Sequence, residues 1–178
     1  MAITLLRHTA PAIGPGICYG ISDIDVADSF ARDAEAVTGS LPILQRVITS
    51  PLQRCRRLGE HIAAALSLPL TEDHRFQEMD FGAWEGRAWA DIPRAEIDAW
   101  AADFMNARAH GGESVAMLRA RTARALAELD NSEDHILIVT HAGVIRALVA
   151  AGETAADYTA TIDFGRFVTL ISSEGARA

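Results

Sequence analysis

Arginine and histidine side chains suited to binding an anion occur at three separate places in the chain. Arg7 and His8 are adjacent and end a short apolar segment. Arg54 follows a turn that begins at Ser50, and His141 follows a longer apolar run. Guanidinium groups bind phosphate-like anions, and a neutral imidazole can act as a nucleophile. If the fold brings these side chains together, they form a pocket for a small anion with a nucleophile inside it.

Three short apolar segments must position these side chains. Residues 3–6, 46–50 and 135–140 are rich in Ile, Leu and Val, which is typical of buried strands. The carboxyl ends of parallel strands lie at one edge of an α/β sheet, where ligands bind. We therefore expect the arginines and histidines to converge at that edge. Helices that begin at Pro51 and next to Ala142 would add backbone N–H donors for an anion.

The other segments predict helices on both faces of the sheet. We expect a helix over residues 30–39 capped by Asp28, and a helix over 51–66 with Arg54 in its first turn. A short helix or helix pair is predicted over 92–105, a long helix over 113–129 started by Glu113 and Ser114, and a further helix over 144–151. Residues 69–85 are predicted to be mostly loop, and 167–171 a last strand at or near an edge. The predicted fold is a single α/β domain over residues 1–178 with a largely parallel sheet.

The composition limits the classes of partner. The chain has 178 residues, of which 49% are hydrophobic and 22% charged, as in ordinary globular proteins. A net charge of -8 argues against binding nucleic acid or an anionic membrane, but not against a small anion held by local arginines. Only Cys18 and Cys55 are present, without metal-ligand spacing, and we find no signal peptide or membrane span. We expect a cytoplasmic protein without metal or cofactor; its oligomeric state stays open, a homodimer included.

Five motifs in order resemble the histidine phosphatase superfamily, which includes cofactor-dependent phosphoglycerate mutases. They are Leu6-Arg7-His8, Ser50-Pro51-Leu52-Gln53-Arg54, Glu-x-x-Phe-Gly-x-Trp-Glu-Gly at 78–86, Gly111-Gly112-Glu113-Ser114, and Val-Thr-His-Ala-Gly-Val-Ile-Arg at 139–146. The resemblance spans nearly the whole chain. It implies a phosphoglycerate mutase-like fold, a three-layer αβα sandwich with helices on both faces of the sheet.

The resemblance also implies a role for each residue of the predicted pocket. His8 would be the nucleophile that becomes phosphorylated, and Arg7, Arg54 and His141 would bind the phosphate. Glu78 would donate a proton to the leaving group. These roles agree with the chemistry, since nearby positive charges keep a histidine neutral and guanidinium groups stabilise the charge on a transferring phosphoryl group. The substrate would be a small phosphorylated metabolite.

Three carboxylates in one segment are candidates for the proton donor. Glu78 matches the family motif and has Phe76 and Phe81 close in sequence, and apolar surroundings raise the pKa of a carboxyl group. A carboxylic acid with a raised pKa can protonate a leaving alkoxide and later activate water. Asp80 and Glu85 are the alternatives.

The loop after the first strand is similar to that of α-ribazole phosphatases, enzymes of cobalamin nucleotide-loop assembly. Thr9 stands where the superfamily more commonly has glycine, and Gly14 lies near the position of a frequent asparagine. The similarity, carried by residues 7–11, 16–20 and Asp23, implies a phosphomonoesterase acting on α-ribazole 5′-phosphate. Thr9 and Tyr19 are predicted to line the substrate mouth. The alternatives are a broad-specificity small-molecule phosphatase, a phosphoglycerate mutase-like enzyme and, from another class, a catalytically silent phospholigand-binding module.

Large aromatic residues in the middle of the chain are predicted to be structural. We expect core or lid positions rather than substrate contacts for Trp84, Trp89, Trp100 and Phe104. The two cysteines are predicted to be small buried hydrophobic residues.

Overall fold

The structure is a computed structural model that describes residues 2–129 and 134–171. Five strands form one sheet: β1 (Ala2–Arg7), β2 (Arg46–Thr49), β3 (Leu70–Glu72), β4 (His135–Thr140) and β5 (Phe167–Ile171). The helices are α1 (Phe30–Ser40), α2 (Gln53–Leu66), α3 (Arg94–Ala102), α4 (Val115–Ala127) and α5 (Ala142–Val149). Short 3₁₀ turns lie at His74–Phe76, Gly82–Trp84, Trp89–Asp91 and Ala155–Tyr158. Within the described part of the chain, no helix has the length and hydropathy of a membrane span.

The order of strands across the sheet is β3-β2-β4-β1-β5. The first four are parallel to one another, and β5 pairs antiparallel with β1 at the edge. The predictions of a largely parallel sheet and of an edge position for the last strand are therefore confirmed. In the register, Arg7 pairs with Thr140, and Thr49 pairs with Val139. The carboxyl ends of β1, β2 and β4 are thus level, which brings the residues that follow them to one place.

Side chains that alternate along the strands fill two separate cores, one on each face of the sheet. One core joins Ile3 and Leu5 of β1 and Ile136 and Ile138 of β4 to α4 and α5. The other joins Leu6, Val47, Leu137 and Val139 to α1 and α2. Because β4 is buried on both faces, it needs the continuous apolar sequence that predicted it. The two cores confirm the prediction of helices on both faces.

Several predicted boundaries were wrong. Residues 69–85 are not mostly loop, because they contain β3 and two 3₁₀ turns. Helix α1 is not capped by Asp28: its N-cap is Ser29, and no side chain makes a capping hydrogen bond there. Helix α5 begins at Ala142, two residues before the predicted start, because only His141 separates it from β4. Ser114 does start α4, since its hydroxyl accepts a hydrogen bond from the N–H of Met117. The predicted domain also included residues 1, 130–133 and 172–178, which lie outside the described residues.

The start of α2 also differs from its prediction. Pro51 is not the first helical residue; the helix begins at Gln53, after a turn at Pro51 and Leu52. The N–H of Gln53 donates a 2.7 Å hydrogen bond to Oδ1 of Asp23, which belongs to the loop after β1. This carboxylate takes the place of a local cap, because it accepts a free N–H at the positive end of the helix. The long-range contact ties that loop to the helix that carries Arg54.

Candidate active site

Four side chains meet where β1, β2 and β4 end. His8 directly follows β1, and its N–H donates to the carbonyl of Thr140 at 3.0 Å. His141 directly follows β4, and the rings of the two histidines lie edge to face with their centroids 5.2 Å apart. Arg54 lies in the first turn of α2 and is fully buried. Arg7 is the last residue of β1.

His8 is held in a form that can act as a nucleophile. Its ring is buried, and Nδ1 lies 2.7 Å from the carbonyl oxygen of Thr9. Since a carbonyl only accepts, the proton is on Nδ1 and Nε2 carries the free lone pair. Burial, followed by the positive charges of Arg54 and Arg7, lowers the pKa of His8 to about 3. The imidazole is therefore neutral and nucleophilic throughout the physiological pH range.

A titration of the free protein tests this assignment. We expect ¹⁵N-detected NMR spectra to show His8 as the neutral Nδ1–H tautomer from pH 8 down to about pH 4, because its pKa is about 3. Comparison with a His8→Ala variant assigns the signal. A transition of His8 near pH 6.5 would show that the site does not hold it neutral.

The His141 ring is contacted by two polar side chains. Its Nε2 lies 2.8 Å from Oγ of Ser50 and 3.4 Å from Sγ of Cys55. Burial lowers the pKa of His141 well below its ordinary value, and the charge of Arg54 lowers it further. A neutral His141 beside a bound phosphoryl group can donate one hydrogen bond or accept a proton shared with the phosphate.

Arg54 is fixed by the loop after β1. Its two terminal nitrogens donate to the carbonyls of Ser22 and Gly20 at 2.7 and 2.5 Å. Its Nε is buried without a hydrogen-bond partner among the described residues. The ring of Tyr19 lies 5.2 Å from the guanidinium carbon. These contacts orient the guanidinium group and leave its Nε–H donor to be satisfied by a ligand.

Arg7 is fixed by the segment that precedes β5, which the sequence did not suggest as part of the site. Its Nη1 donates to the carbonyl of Ile162 at 2.6 Å, and its guanidinium carbon lies 3.8 Å from the centre of the Phe164 ring. The same ring lies 5.5 Å from that of His8. No motif pointed to Phe164, because a single aromatic residue before an edge strand has no chemical signature in sequence. It forms one wall of the site.

The structure separates the three candidate carboxylates. Both oxygens of Glu85 already have hydrogen-bond partners. They accept from the N–H groups of Gly20, Ile21 and Ser22 in the loop after β1, from the Ser22 hydroxyl and from the N–H of Phe81. Asp80 accepts from the N–H of Gly82 and fixes a turn. Glu78 is half-buried and accepts from the N–H groups of Met79 and Gly143, both at 3.0 Å. Only Glu78 is bonded to the turn that begins at His141.

The contact between Glu78 and Gly143 yields a test by substitution. A Cβ at Gly143 would overlap the Glu78 carboxylate, so Gly143→Ala should displace that group and lower kcat/KM by at least about 10-fold. The protein should still fold, because alanine is the better helix former. Gly39→Ala, at a helical glycine with free space around it, is the matched control and should leave activity unchanged. Equal activity of the two variants would show that the position of Glu78 is unimportant.

Tyr19 and Thr9, the two predicted mouth residues, lie in different surroundings. Tyr19 faces both arginines; burial raises the pKa of its hydroxyl, although the charges of Arg7 and Arg54 oppose the shift. Thr9 is buried, and its hydroxyl has no partner among the described residues. It lies in the wall of a separate cavity beside α1, lined also by Asp33 and Phe164. Among residues 2–129 and 134–171, no group of three or more His, Cys, Asp or Glu side chains could hold a metal ion.

Two buried histidines and two arginines lie together at the ends of parallel strands. This arrangement places the chain in a class of α/β proteins that bind a phosphoryl group at the carboxyl edge of the sheet. The chain belongs to the histidine phosphatase superfamily (branch 1), whose family profile matches residues 3–164. The resemblance inferred from the five motifs is thereby confirmed.

Individual relatives carry different phosphatase names. The chain is 32% identical over 110 residues to an adenosylcobalamin/α-ribazole phosphatase of Salmonella typhimurium; the match covers 59% of this chain and 54% of that protein, about half its length. It is 25% identical over 157 residues to phosphoserine phosphatase 1 of Hydrogenobacter thermophilus, covering 84% of this chain and 74% of the relative. The structure of a mycobacterial glucosyl-3-phosphoglycerate phosphatase superposes with a TM-score of 0.81 and 25% identity, over 96% of this chain and 89% of the other. The phosphoglycerate mutase-like sandwich is thus the fold of this chain.

Proposed function

We propose that the protein is a phosphomonoesterase that works through a phosphohistidine at His8. The observation that carries this proposal is the state of His8: a buried, neutral imidazole whose Nδ1 proton is bound by Thr9 and whose Nε2 is free. Its ring lies 5.2 Å from that of His141, and the positive charges of two arginines act on it. Membership of the superfamily supports it. A site that only bound phosphate would need the positive charges but no neutral nucleophile.

In the first half of the reaction, Nε2 of His8 attacks the phosphorus and the bond to the alcohol oxygen breaks. Arg7, Arg54 and His141 stabilise the charge on the equatorial oxygens. The imidazole becomes positive as the phosphorus–nitrogen bond forms, and the carbonyl of Thr9 stabilises it by holding the Nδ1 proton. Glu78 gives its proton to the leaving alkoxide, which departs as the alcohol.

In the second half, water enters the place of the alcohol. The Glu78 carboxylate takes a proton from this water as the oxygen attacks the phosphorus. The phosphorus–nitrogen bond breaks, inorganic phosphate forms, and His8 returns to its neutral Nδ1–H form. Glu78 ends protonated, ready for the next ester.

We take α-ribazole 5′-phosphate as the first candidate substrate, in cobalamin nucleotide-loop assembly. It is supported by the similarity of the loop after β1 and by the relative of that name from Salmonella typhimurium. A broad-specificity small-molecule phosphatase is the second candidate. The observation that favours it is that the relatives aligned over most of this chain bear the names of phosphatases for other esters.

Phosphate release from a panel of esters tests the proposal. The panel is α-ribazole 5′-phosphate, phosphoserine, 3-phosphoglycerate and an aryl phosphate, each with excess chelator. We expect chelator-resistant hydrolysis, with kcat/KM highest for α-ribazole 5′-phosphate. Similar values for all esters would favour the second candidate, and conversion of 3-phosphoglycerate to its isomer would reveal a mutase. No hydrolysis of any ester would favour a silent phospholigand-binding module.

A further inference from the structure

A cleft lined by aromatic side chains lies directly beside Glu78. We call it the aromatic cleft; its volume is about 210 Å³, and its walls include Trp100, Phe104, Val115, Leu118, Arg146 and Tyr158. Phe104 stands between the two other rings, with centroids 5.5 Å from Trp100 and 5.1 Å from Tyr158. The reaction described above uses none of these side chains.

The position of Glu78 shows which part of a substrate would enter this cleft. Glu78 lines the cleft, and its carboxylate is bonded to Gly143, two residues after His141. A general acid must touch the oxygen that leaves. The alcohol must therefore lie on the Glu78 side of the phosphoryl group, and the aromatic cleft is the space next to Glu78 on that side.

Two polar atoms in the walls of the cleft lack partners. The Tyr158 hydroxyl and the Trp100 indole nitrogen are buried and make no hydrogen bond within the described residues, and Tyr158 is only 9% exposed. By contrast, the indole nitrogen of neighbouring Trp84 donates to Glu96 at 2.7 Å. Buried polar groups are normally satisfied, so an unpaired N–H and an unpaired O–H in one cleft indicate a ligand that carries acceptor atoms.

From this arrangement we propose, on the basis of the proposed function, that the aromatic cleft binds the alcohol part of the substrate. The ligand chemistry that fits is a flat, largely apolar ring system that bears at least one hydrogen-bond acceptor. A cavity of about 150 Å³ accommodates one benzene ring. The aromatic cleft, at about 210 Å³ and open on one side, has room for a fused two-ring system. Trp100 and Phe104 are then substrate contacts, contrary to the structural role predicted from sequence.

A pair of esters that differ only in the ring isolates the contribution of the cleft. α-Ribazole 5′-phosphate carries a fused aromatic base on its ribose, and ribose 5-phosphate is the same ester without the base. The measured quantity is the ratio of kcat/KM for the first ester to that for the second. Burial of the ring should make this ratio about 10 or more for the unmodified protein.

Two variants test the cleft. Ala155 is exposed and lines its edge, so Ala155→Trp should fill the cleft without disturbing the core and lower the ratio about 10-fold. Ala156→Trp places the same side chain at the next exposed residue, outside the cleft, and should leave the ratio unchanged. Tyr158→Phe removes only the unpaired hydroxyl and should lower the ratio about 5-fold, as expected for one lost hydrogen bond.

The results for the two esters distinguish ring binding in the aromatic cleft from phosphatase activity itself. If the unmodified protein hydrolyses both esters but the ratio is the same in all variants, the cleft does not bind the ring. If it hydrolyses neither ester, the proposed function fails, and calorimetry with unphosphorylated α-ribazole decides the inference. Binding by Ala156→Trp and not by Ala155→Trp would support the cleft, whereas equal binding, or none by any variant, would overturn it.

Discussion

Replacement of His8 by alanine should reduce phosphate release from every ester by at least about 1,000-fold, because the covalent route through the histidine is lost and only electrostatic stabilisation remains. The arginines and His141 stay in place, so the variant should still bind inorganic phosphate. The measurement is kcat for the best substrate of the panel, together with phosphate binding by calorimetry.

The control for this variant is His74→Ala. His74 is an exposed histidine in the 3₁₀ turn after β3 and makes no side-chain contact with the site. It should leave kcat unchanged. Thermal unfolding of both variants shows whether they fold. A folded His8→Ala protein that kept more than about a tenth of the activity would contradict a nucleophilic role for His8.

Replacement of Glu78 by glutamine should lower kcat/KM, which reports the step in which the alcohol leaves, for an alkyl ester by about 100-fold to 10,000-fold, the range for loss of a general acid. Glutamine has nearly the same shape and its amide oxygen can still accept the N–H of Gly143, so the fold should be retained. The effect should be much smaller for an aryl phosphate, because its leaving group is a weak base and departs without a proton. The measurement is the ratio of kcat/KM for the two esters; kcat itself should fall for both, because Glu78 also activates the water that attacks the phosphohistidine.

Glu85→Gln is the comparison that decides which carboxylate acts. Since Glu85 accepts hydrogen bonds from Gly20 and Ser22, whose carbonyls hold Arg54, its loss should weaken phosphate binding for alkyl and aryl esters alike. A large dependence on the leaving group in Glu85→Gln, and none in Glu78→Gln, would reverse the assignment.

Sequence patterns predicted the buried strands that consist of a continuous run of apolar residues. Strand β4 was located residue for residue, because a strand covered on both faces has no polar positions to obscure it. Strand β3 was missed because it is short and lies at an edge with two exposed residues, so neither a run nor an alternation marks it. The cap of α2 could not be predicted either, since Asp23 is 30 residues away in sequence from Gln53.

Part of the geometry of the candidate site could also be predicted from the sequence. Residues that follow strands, such as His8 and His141, could be assigned to one edge of the sheet from topology alone. The family motif selected Glu78 from the sequence, and its role as proton donor stays a prediction. The hydrogen bonds add a difference that the residue types alone do not show: Glu85 accepts from four backbone N–H groups and Glu78 from two. Phe164 was beyond prediction because its contact with Arg7 depends on the path of the chain before β5.

Transfer of the phosphoryl group to His8 can be tested by trapping the phosphohistidine. The protein is mixed with its best ester, quenched in alkali within milliseconds, and analysed by ³¹P NMR and by mass spectrometry of peptides. We expect an alkali-stable, acid-labile phosphoryl group on the peptide that contains His8, and none in the His8→Ala variant. Phosphate release at the normal rate with no phosphohistidine, or with the phosphoryl group on another residue, would contradict it.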